Sequence, residues 1–532
     1  MKKVTKITLW ILGALLLLCT TAFVCADIIV SHLVQKQVSQ SFENIPDAEA
    51  SVGKIYLNLI SGTAVVKDIS FRSQNISLTV PTLAVWNIRY LELLRHHRLV
   101  IHRIDISDVQ TELFFDEKHP EALFPSLPKD TTLQKAPLWL QSAEVHHLDV
   151  SNLSTRLHST RSALDVAVDS LSFSTPDLSY SFSDSVFSYN DSVYQLSLHA
   201  LHVVLPDKSL AIEMHDFSTR NQGALSLGYT RVRHLASLRQ MVRKAKEPTV
   251  WIDLQLNSLS TSAVNPLRKA LAKDYTLDRL RVDVRRMHVC KDQSYKPKKP
   301  FDTPQDVLLG LPVRFRVNQV EALARKIDVE LSTTEVNCGQ LHLSNIQATL
   351  SNVTNRPGAT WMSQAKAPFG KQGEVIASLA MHMDKKATFE VALDARDVQT
   401  EDLNGFIRPL IGITSECHID HLNAEYRGDK KSANGEFCMQ YTGLEVMVHK
   451  EDNIPYEVVS KNASTFTQLA NTLIPKSNPT AVDPAPRRYM VEWQRDEWKP
   501  YPLYLFGPCI DGVKKTMLPG LYVHKQVKNG KR

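Results

Sequence analysis

The sequence predicts a mainly β protein: an N-terminal transmembrane helix, then a long curled antiparallel β-sheet forming a groove, with a few short helices. Three observations predict it. A long uncharged apolar run lies near the start, apolar and polar residues alternate with period two through most of the rest, and one strand-then-helix stretch at 250–274 is written again at 389–413.

The apolar run is Ile7–Ala26, "ITLWILGALLLLCTTAFVCA", preceded by Lys2, Lys3 and Lys6. At about 1.5 Å per residue it is just long enough to cross a hydrocarbon core of roughly 30 Å. Lysines ahead of it hold the N-terminus in the cytoplasm, so the remainder is exported. Cleavage after Val24-Cys25-Ala26 is the rival reading, although the apolar core exceeds that of an ordinary signal peptide. Residues 28–42 are expected to continue as a helix.

Beyond residue 50 the pattern is that of strands with one apolar and one polar face. Ile55, Leu57 and Leu59 alternate with Tyr56 and Asn58; Val65, Lys67, Ile69 and Phe71 follow a turn at Ser61-Gly62. The same signature recurs over 76–80, 109–115, 144–157, 168–175, 194–205, 313–323, 339–350 and 374–383. Short polar turns between such runs favour antiparallel pairing over βαβ units. A short helix or an extended link is expected over 88–96, and short helices over 231–246 and 462–474. The basic residues of the second, Arg239, Arg243 and Lys246, read as a solvated face, with lipid head-group contact as the sharper alternative. "KPYPLYLFGP" (499–508) reads as a docking strand or an exposed apolar end.

The duplicated stretch is "VWIDLQLNSLSTSAVNPLRKALAKD" (250–274) and "FEVALDARDVQTEDLNGFIRPLIGI" (389–413). Aligned without a gap, they share Leu254/Leu393, Thr261/Thr400, Asn265/Asn404 and Leu271/Leu410. Asn265-Pro266 reads as an N-cap followed by proline at the first helical position, whereas Pro409 should shorten or kink the second helix.

Bulk composition narrows the function classes. The chain has 532 residues, 43% hydrophobic, and a net charge of +6, too mild for a nucleic-acid partner. Five cysteines beyond the apolar run lack C-x-x-C spacing, which argues against a disulfide framework and a zinc site. No G-x-S-x-G, H-E-x-x-H or phosphate loop is present. His96-His97 and His146-His147 are neighbours that a strand points to opposite faces. Trp493 and Trp498 suit packing better than sugar stacking. No catalytic residue, metal ligand or cofactor is assigned, and the chain reads as a non-enzyme.

About 20 strands at ~4.8 Å spacing make a sheet roughly 95 Å wide, and sheets of that width curl, split or close. With so little helix to cover it, the apolar face must pack on itself or meet something apolar from outside. The candidates for that face are Ile55, Leu57, Leu59, Val65, Ile69, Ile252, Leu254, Leu256, Val391 and Leu393.

Two ends of the chain carry a resemblance. "VGKIYLNLISGTAVVKDISFRS" (52–73) with "LTVPTLAVWNIRYLELLRHHRLVIHRIDISDVQTELFFD" (78–116) resembles the N-terminal region of AsmA-like proteins. "LNGFIRPLIGITSECHIDHLNAEYRGDKKSANGEFCMQYTGLEVMV" (403–448) is similar to their C-terminal portion, with Ala433-Asn434-Gly435 as the small-residue turn before the last strands. The resemblance implies an anchored β-groove like that of bridge-like lipid transfer proteins, set in the inner membrane of a double-membraned bacterium with its body in the periplasm. It implies membrane phospholipid as ligand, envelope proteins as further partners, and a role in outer-membrane homeostasis. The organisation expected is a cytoplasmic N-terminus and anchor (1–30), an AsmA-like β region (31–125), an elongated groove body holding the repeat (126–450), and a C-terminal helix and tail (451–532). The alternative is an envelope scaffold whose β-body is filled by its own side chains and carries no lipid.

Overall fold

A computed structural model of the chain describes residues 48–115, 140–160, 164–181, 186–189, 194–205, 209–220, 224–263, 275–332, 338–449 and 463–519, with a few single positions besides. The expected anchor, most of the expected 28–42 helix and the helical half of the first repeat copy lie outside them. Among the described residues no helix is long and apolar enough to cross a membrane. The chain forms two compact units, Met1–Leu227 with Ala263–Leu267, and Gly228–Ser262 with Arg268–Arg532. Each is mainly β, built on a long mixed sheet with few short helices.

The first unit runs β1 (Ala48–Ser51), β2 (Ile55–Asn58), β3 (Thr63–Ser73), β4 (Ile76–Ile88), helix α1 (Tyr90–His96), β5 (Arg98–Ser107), β6 (Gln110–Phe115), β7 (Ser142–Ser159), β8 (Asp165–Ser181), β9 (Val186–Tyr189), β10 (Gln195–Val204), β11 (Leu210–Arg220) and β12 (Ala224–Leu227). β1 and β2 share the edge of β3, and β3 pairs with β4. β4 meets both β5 and β6, which continue one another past Asp108, and both lie parallel to β7. β7 pairs with β8, β8 with β9 and β10, and β10 with β11, which meets β12.

The second unit runs β13 (Thr230–His234), helix α2 (Leu238–Ala245), β14 (Thr249–Ala263), β15 (Tyr275–Asp292), helix α3 (Pro304–Leu309), β16 (Phe315–Ser332), β17 (Cys338–Thr354), β18 (Thr360–Phe369), β19 (Gly373–His382), β20 (Phe389–Gln399), helix α4 (Glu401–Ile411), β21 (Ile413–Gly428), β22 (Ser432–Val448), helix α5 (Ala463–Leu473), β23 (Arg488–Gln494) and helices α6 (Tyr501–Leu505) and α7 (Gly507–Met517). Each strand pairs with the next, antiparallel except for β15 and β16.

Three parallel pairings correct the expected all-antiparallel sheet. A parallel neighbour needs a crossover of a dozen or more residues. The connection from Asp292 to Phe315, "QSYKPKKPFDTPQDVLLGLPVR", has that length and carries α3.

Strict alternation fails in a systematic way, and apolar residues step by two and then by three. In β14 the order is Leu254, Leu256, Leu259; in β15, Val282, Val284, Met287; in β16, Ala322, Ala324, Ile327; in β17, Leu341, Leu343, Ile346. At each extra residue the pairing register skips a position: Asn257, Arg285, Arg325 and Asn345. Asn345 has φ 51°, the left-handed region that asparagine tolerates better than most residues. Bulges of this kind return the following apolar residue to the face that an unbroken strand would leave.

Two expected positions are corrected, one by the same device and one by a turn. Asp68 takes φ 55° in β3, so Ile69 shares a face with Val66 rather than Val65. Val65 pairs with Tyr56 and Ala84, opposite the face of Ile55 and Leu57. Leu59 is not in a strand; β2 stops at Asn58, whose side-chain oxygen accepts the Ile60 and Ser61 N–H groups and turns the chain.

Further differences have local causes. Residues 231–234 are strand, because Val232 pairs with Leu254; the helix starts only at Leu238, behind a capping box of Ser237 and Gln240. Pro409 stays inside α4, which ends at the left-handed Gly412. The 499–508 stretch forms α6 and the start of α7 rather than a strand or loose end, and Tyr504 is buried. Ala433-Asn434-Gly435 lies within β22; the turn is at 429–431, where Asp429 accepts the Lys431 and Ser432 N–H groups. The expected helix at 462–474 is α5.

Candidate functional site

The strand registers collect the apolar residues of each unit on one sheet face. In the first unit Ile55 opposes Val66, Leu57 opposes Ala64, and Ile69 opposes Val80. A row from Leu83 through Ile106, Val150 and Phe173 to Leu196 extends that face over β4, β5, β7, β8 and β10.

In the second unit Ile252 opposes Val289, Leu254 opposes Met287 and Leu256 opposes Val284; β16 and β17 continue those rows with Val329 and Leu341, Ile327 and Leu343, and Ala324 and Ile346. One further row crosses the sheet of this unit: Leu259, Val282, Ala322, Ala348, Ala365, Ala377, Leu393, Ala424, Phe437, Tyr489. Val391 stands on the same face, between Leu379 and Tyr426. The two repeat copies therefore contribute Ile252, Leu254, Leu256, Val391 and Leu393 to one surface.

That surface has two sectors. Over β20–β23 it is filled. Phe389, Phe437, Tyr441 and Tyr489 are at most 2% exposed, and Tyr504, Leu505, Val513 and Met517 of α6 and α7 pack into the same cluster. Gly512 of α7 leaves room for the Phe437 ring, which a Cβ at that position would strike. Val391 and Leu393 border this core. Trp493 packs there too, under Gly507, while Trp498 is exposed.

Over β14–β18 most of the apolar side chains are only half-buried, including Ile252, Leu254, Met287, Ile327, Leu343 and Ile346. Among the described residues, α4 approaches this sector at Gly339, where Phe406 and Leu410 close in. Alanines at 322, 324, 348 and 365 give its centre a low floor.

The opposite face of the same strands is charged. Arg281 binds Glu321 at 2.8 Å, Arg325 binds Asp283 at 2.8 Å, and Arg286 binds Asp328 at 2.9 Å. A cavity of about 680 Å³ opens here, lined by Ser258, Ser260, Arg281, Gln347, Gln364 and Lys366 among others. By register its polar groups lie across the sheet from the apolar rows, and Leu323 and Ile376 set apolar side chains beside them.

Asp253, between Ile252 and Leu254, points to this charged face. It accepts two bonds from the Arg231 guanidinium, at 2.9 and 2.7 Å, and Arg231 holds its carboxyl below the usual carboxylate range. A carboxyl depressed in the fold adds stability above its unfolded value of about 3.9 and loses it as pH falls through the folded value. Lowering the pH from about 4 through the depressed folded value is therefore expected to remove up to about 1 kcal/mol at this partly screened pair. Urea midpoints measured near neutrality and near pH 3 should show Asp253→Asn with the flatter acid limb.

Sequence reasoning found the strand faces of both repeat copies but missed their partners Met287, Ile327 and Leu343. The available signal was the step of three between apolar residues, which marks a bulge.

No family model matches the chain, and no curated protein matches it.

Proposed function

We propose that this chain is a non-catalytic, membrane-anchored envelope protein, AsmA-like in kind, with its body in the periplasm, that handles phospholipid for outer-membrane homeostasis. The observation that carries this reading is the half-buried apolar sector of β14–β18. Among the described residues α4 covers this face only near Gly339; elsewhere half-buried aliphatic side chains keep contact with water, and acyl chains relieve that contact at ~0.8 kcal/mol per buried methylene. A two-chain lipid is held in this way without a head-group pocket. The uncharged run Ile7–Ala26 behind three lysines supports the anchor and its orientation.

The filled sector over β20–β23 supports a second reading, an envelope scaffold that serves protein partners and carries no lipid. The test is direct. The full chain is extracted with a detergent that contains no phospholipid, and bound lipid is identified by mass spectrometry; transfer from labelled to unlabelled vesicles is then measured. Co-purified phospholipid and protein-dependent transfer are expected. A well-folded chain that carries no lipid and takes none from vesicles leaves the scaffold reading in its place.

A further inference from the structure

The charged face of the second unit also holds a cluster of a different kind. His288 and Cys290 are two apart in β15 and share a face. Glu330 is the register partner of Cys290 across the parallel β15–β16 pair. Cys290 Sγ lies 3.2 Å from His288 Nε2 and 3.3 Å from Glu330 Oε2, and His288 Nε2 lies 3.1 Å from Glu330 Oε1. The imidazole nitrogen, the thiol sulfur and the two carboxylate oxygens thus converge, and one ligand atom from each residue lies within 4.8 Å of the other two.

We propose that His288, Cys290 and Glu330 bind a divalent transition-metal ion of the zinc type. Three donors on one tetrahedral zinc, at about 2.0–2.3 Å from the metal, stand ~3.3–3.6 Å apart, a spacing that small side-chain shifts reach from ligand atoms already within 4.8 Å of one another. The donor set suits the same ions: imidazole and thiolate select zinc-like metals over magnesium or calcium, which prefer oxygen ligands throughout. Charge balances as well. Thiolate and carboxylate neutralise a divalent ion, which favours a complex at a half-buried position. Binding forms the metal–sulfur bond as the thiol proton leaves to solvent.

The surroundings are those of a supported site. Cys290 is 6% exposed and unbridged. The His288 and Glu330 side chains keep 21% and 28% of their surface, which gives an ion a way in and leaves the fourth position to water. The Trp251 ring meets His288 edge-on at 5.4 Å, and Gln340 Nε2 donates to Glu330 Oε1 at 3.5 Å. Neighbouring Asp328 is already bound by Arg286, Lys326 and His342, so it is not counted as a ligand. All three ligands stand on paired strands, which hold geometry more closely than loops do.

The test uses the full chain in detergent, reduced and stripped of metal by a chelator, then titrated with Zn²⁺ and separately with Co²⁺. One tight equivalent is expected, and cobalt should give the thiolate-to-metal charge-transfer band together with the strong visible bands of four-coordination. Cys290→Ser should abolish the charge-transfer band, and His288→Gln and Glu330→Gln should each weaken Zn²⁺ binding by about tenfold or more. Cys338→Ser should change neither reading. Circular dichroism confirms that each variant is folded, and the two glutamine variants preserve the test if Cys290→Ser is not. The proposal is overturned if the folded wild type shows no charge-transfer band, if that band survives in Cys290→Ser, or if both glutamine variants bind zinc as the wild type does.

Discussion

Leu393→Asp is expected to unfold the C-terminal part of the second unit, whereas Leu254→Asp is expected to leave it folded and strip it of lipid. The two leucines are equivalent in the repeat and stand on the same sheet face, but their surroundings differ. Leu393 lies between Ala377 and Ala424 in the row that runs on to Phe437, beside side chains with almost no exposure. Leu393 is itself partly buried, but it packs directly against that core, so a carboxylate there is set among apolar side chains. Such a charge belongs to the rare substitutions that cost about 4–5 kcal/mol or more. Leu254 lies between Val232 and Met287 in the half-buried sector, where water still reaches a carboxylate. Its stability cost is expected to be about 1 kcal/mol, the ordinary size for a point substitution. An acyl chain laid over it must desolvate the charge, and every ~1.4 kcal/mol of that penalty is a factor of ten in affinity. Co-purified phospholipid should therefore fall about tenfold or more. Gln364→Asp, on the charged face, is the control and should retain its lipid. Thermal melts and lipid analysis on the same three samples decide the matter. Equal lipid content in Leu254→Asp and wild type would remove the open sector from the account of function.

Much of this architecture is legible in the sequence because period-two alternation is a strong signal once the chain folds as sheet. It locates most strands, and it places Ile252, Leu254, Leu256, Val391 and Leu393 on one face. It fails where a single residue shifts the register. Val65 and Ile69 are four apart, which in a plain strand means one face; the left-handed Asp68 between them separates the two. Parallel pairing was hidden for a different reason. Alternation reports which side chains share a face but not which strand lies beside which, and only the lengths of the 116–141 and 293–314 connections hint at crossovers. The cluster of His288, Cys290 and Glu330 was hidden by that same gap, since its two halves sit on separate strands, far apart in sequence, and meet only through the parallel pair. The division of the apolar face into filled and open sectors depends on where α6 and α7 dock. The proline-bounded aromatic stretch that forms them reads from sequence as a strand or a loose end.

Gly435→Ala is expected to destabilise the second unit by about 3 kcal/mol, at the upper end of overpacking effects. Gly435 lies mid-strand, opposite Tyr426 on one side and Val491 on the other. A Cβ there would run into the carbonyl oxygen of Glu425 and the Cα of Tyr426, both of them backbone atoms. Tyr426 has little freedom to yield: its hydroxyl donates to the Leu505 carbonyl at 2.8 Å, tying β21 to α6, and the residue is 4% exposed. Making room therefore means parting β21 from β22 and loosening the helices that fill the core. At roughly 2–4 °C per kcal/mol for a body of this size, the melting temperature should fall by roughly 6–12 °C. Gly443→Ala separates this cause from ordinary glycine strain. Gly443 has φ 70° and nothing within 4 Å, so its substitution should cost only the conformational penalty of about 1–2 kcal/mol. Trimming the ring does not help, because the obstacle is backbone: Gly435→Ala combined with Tyr426→Ala should melt no higher than Tyr426→Ala alone. A rise in melting temperature for the double variant would mean that the side chain, not the strand separation, sets the requirement for glycine.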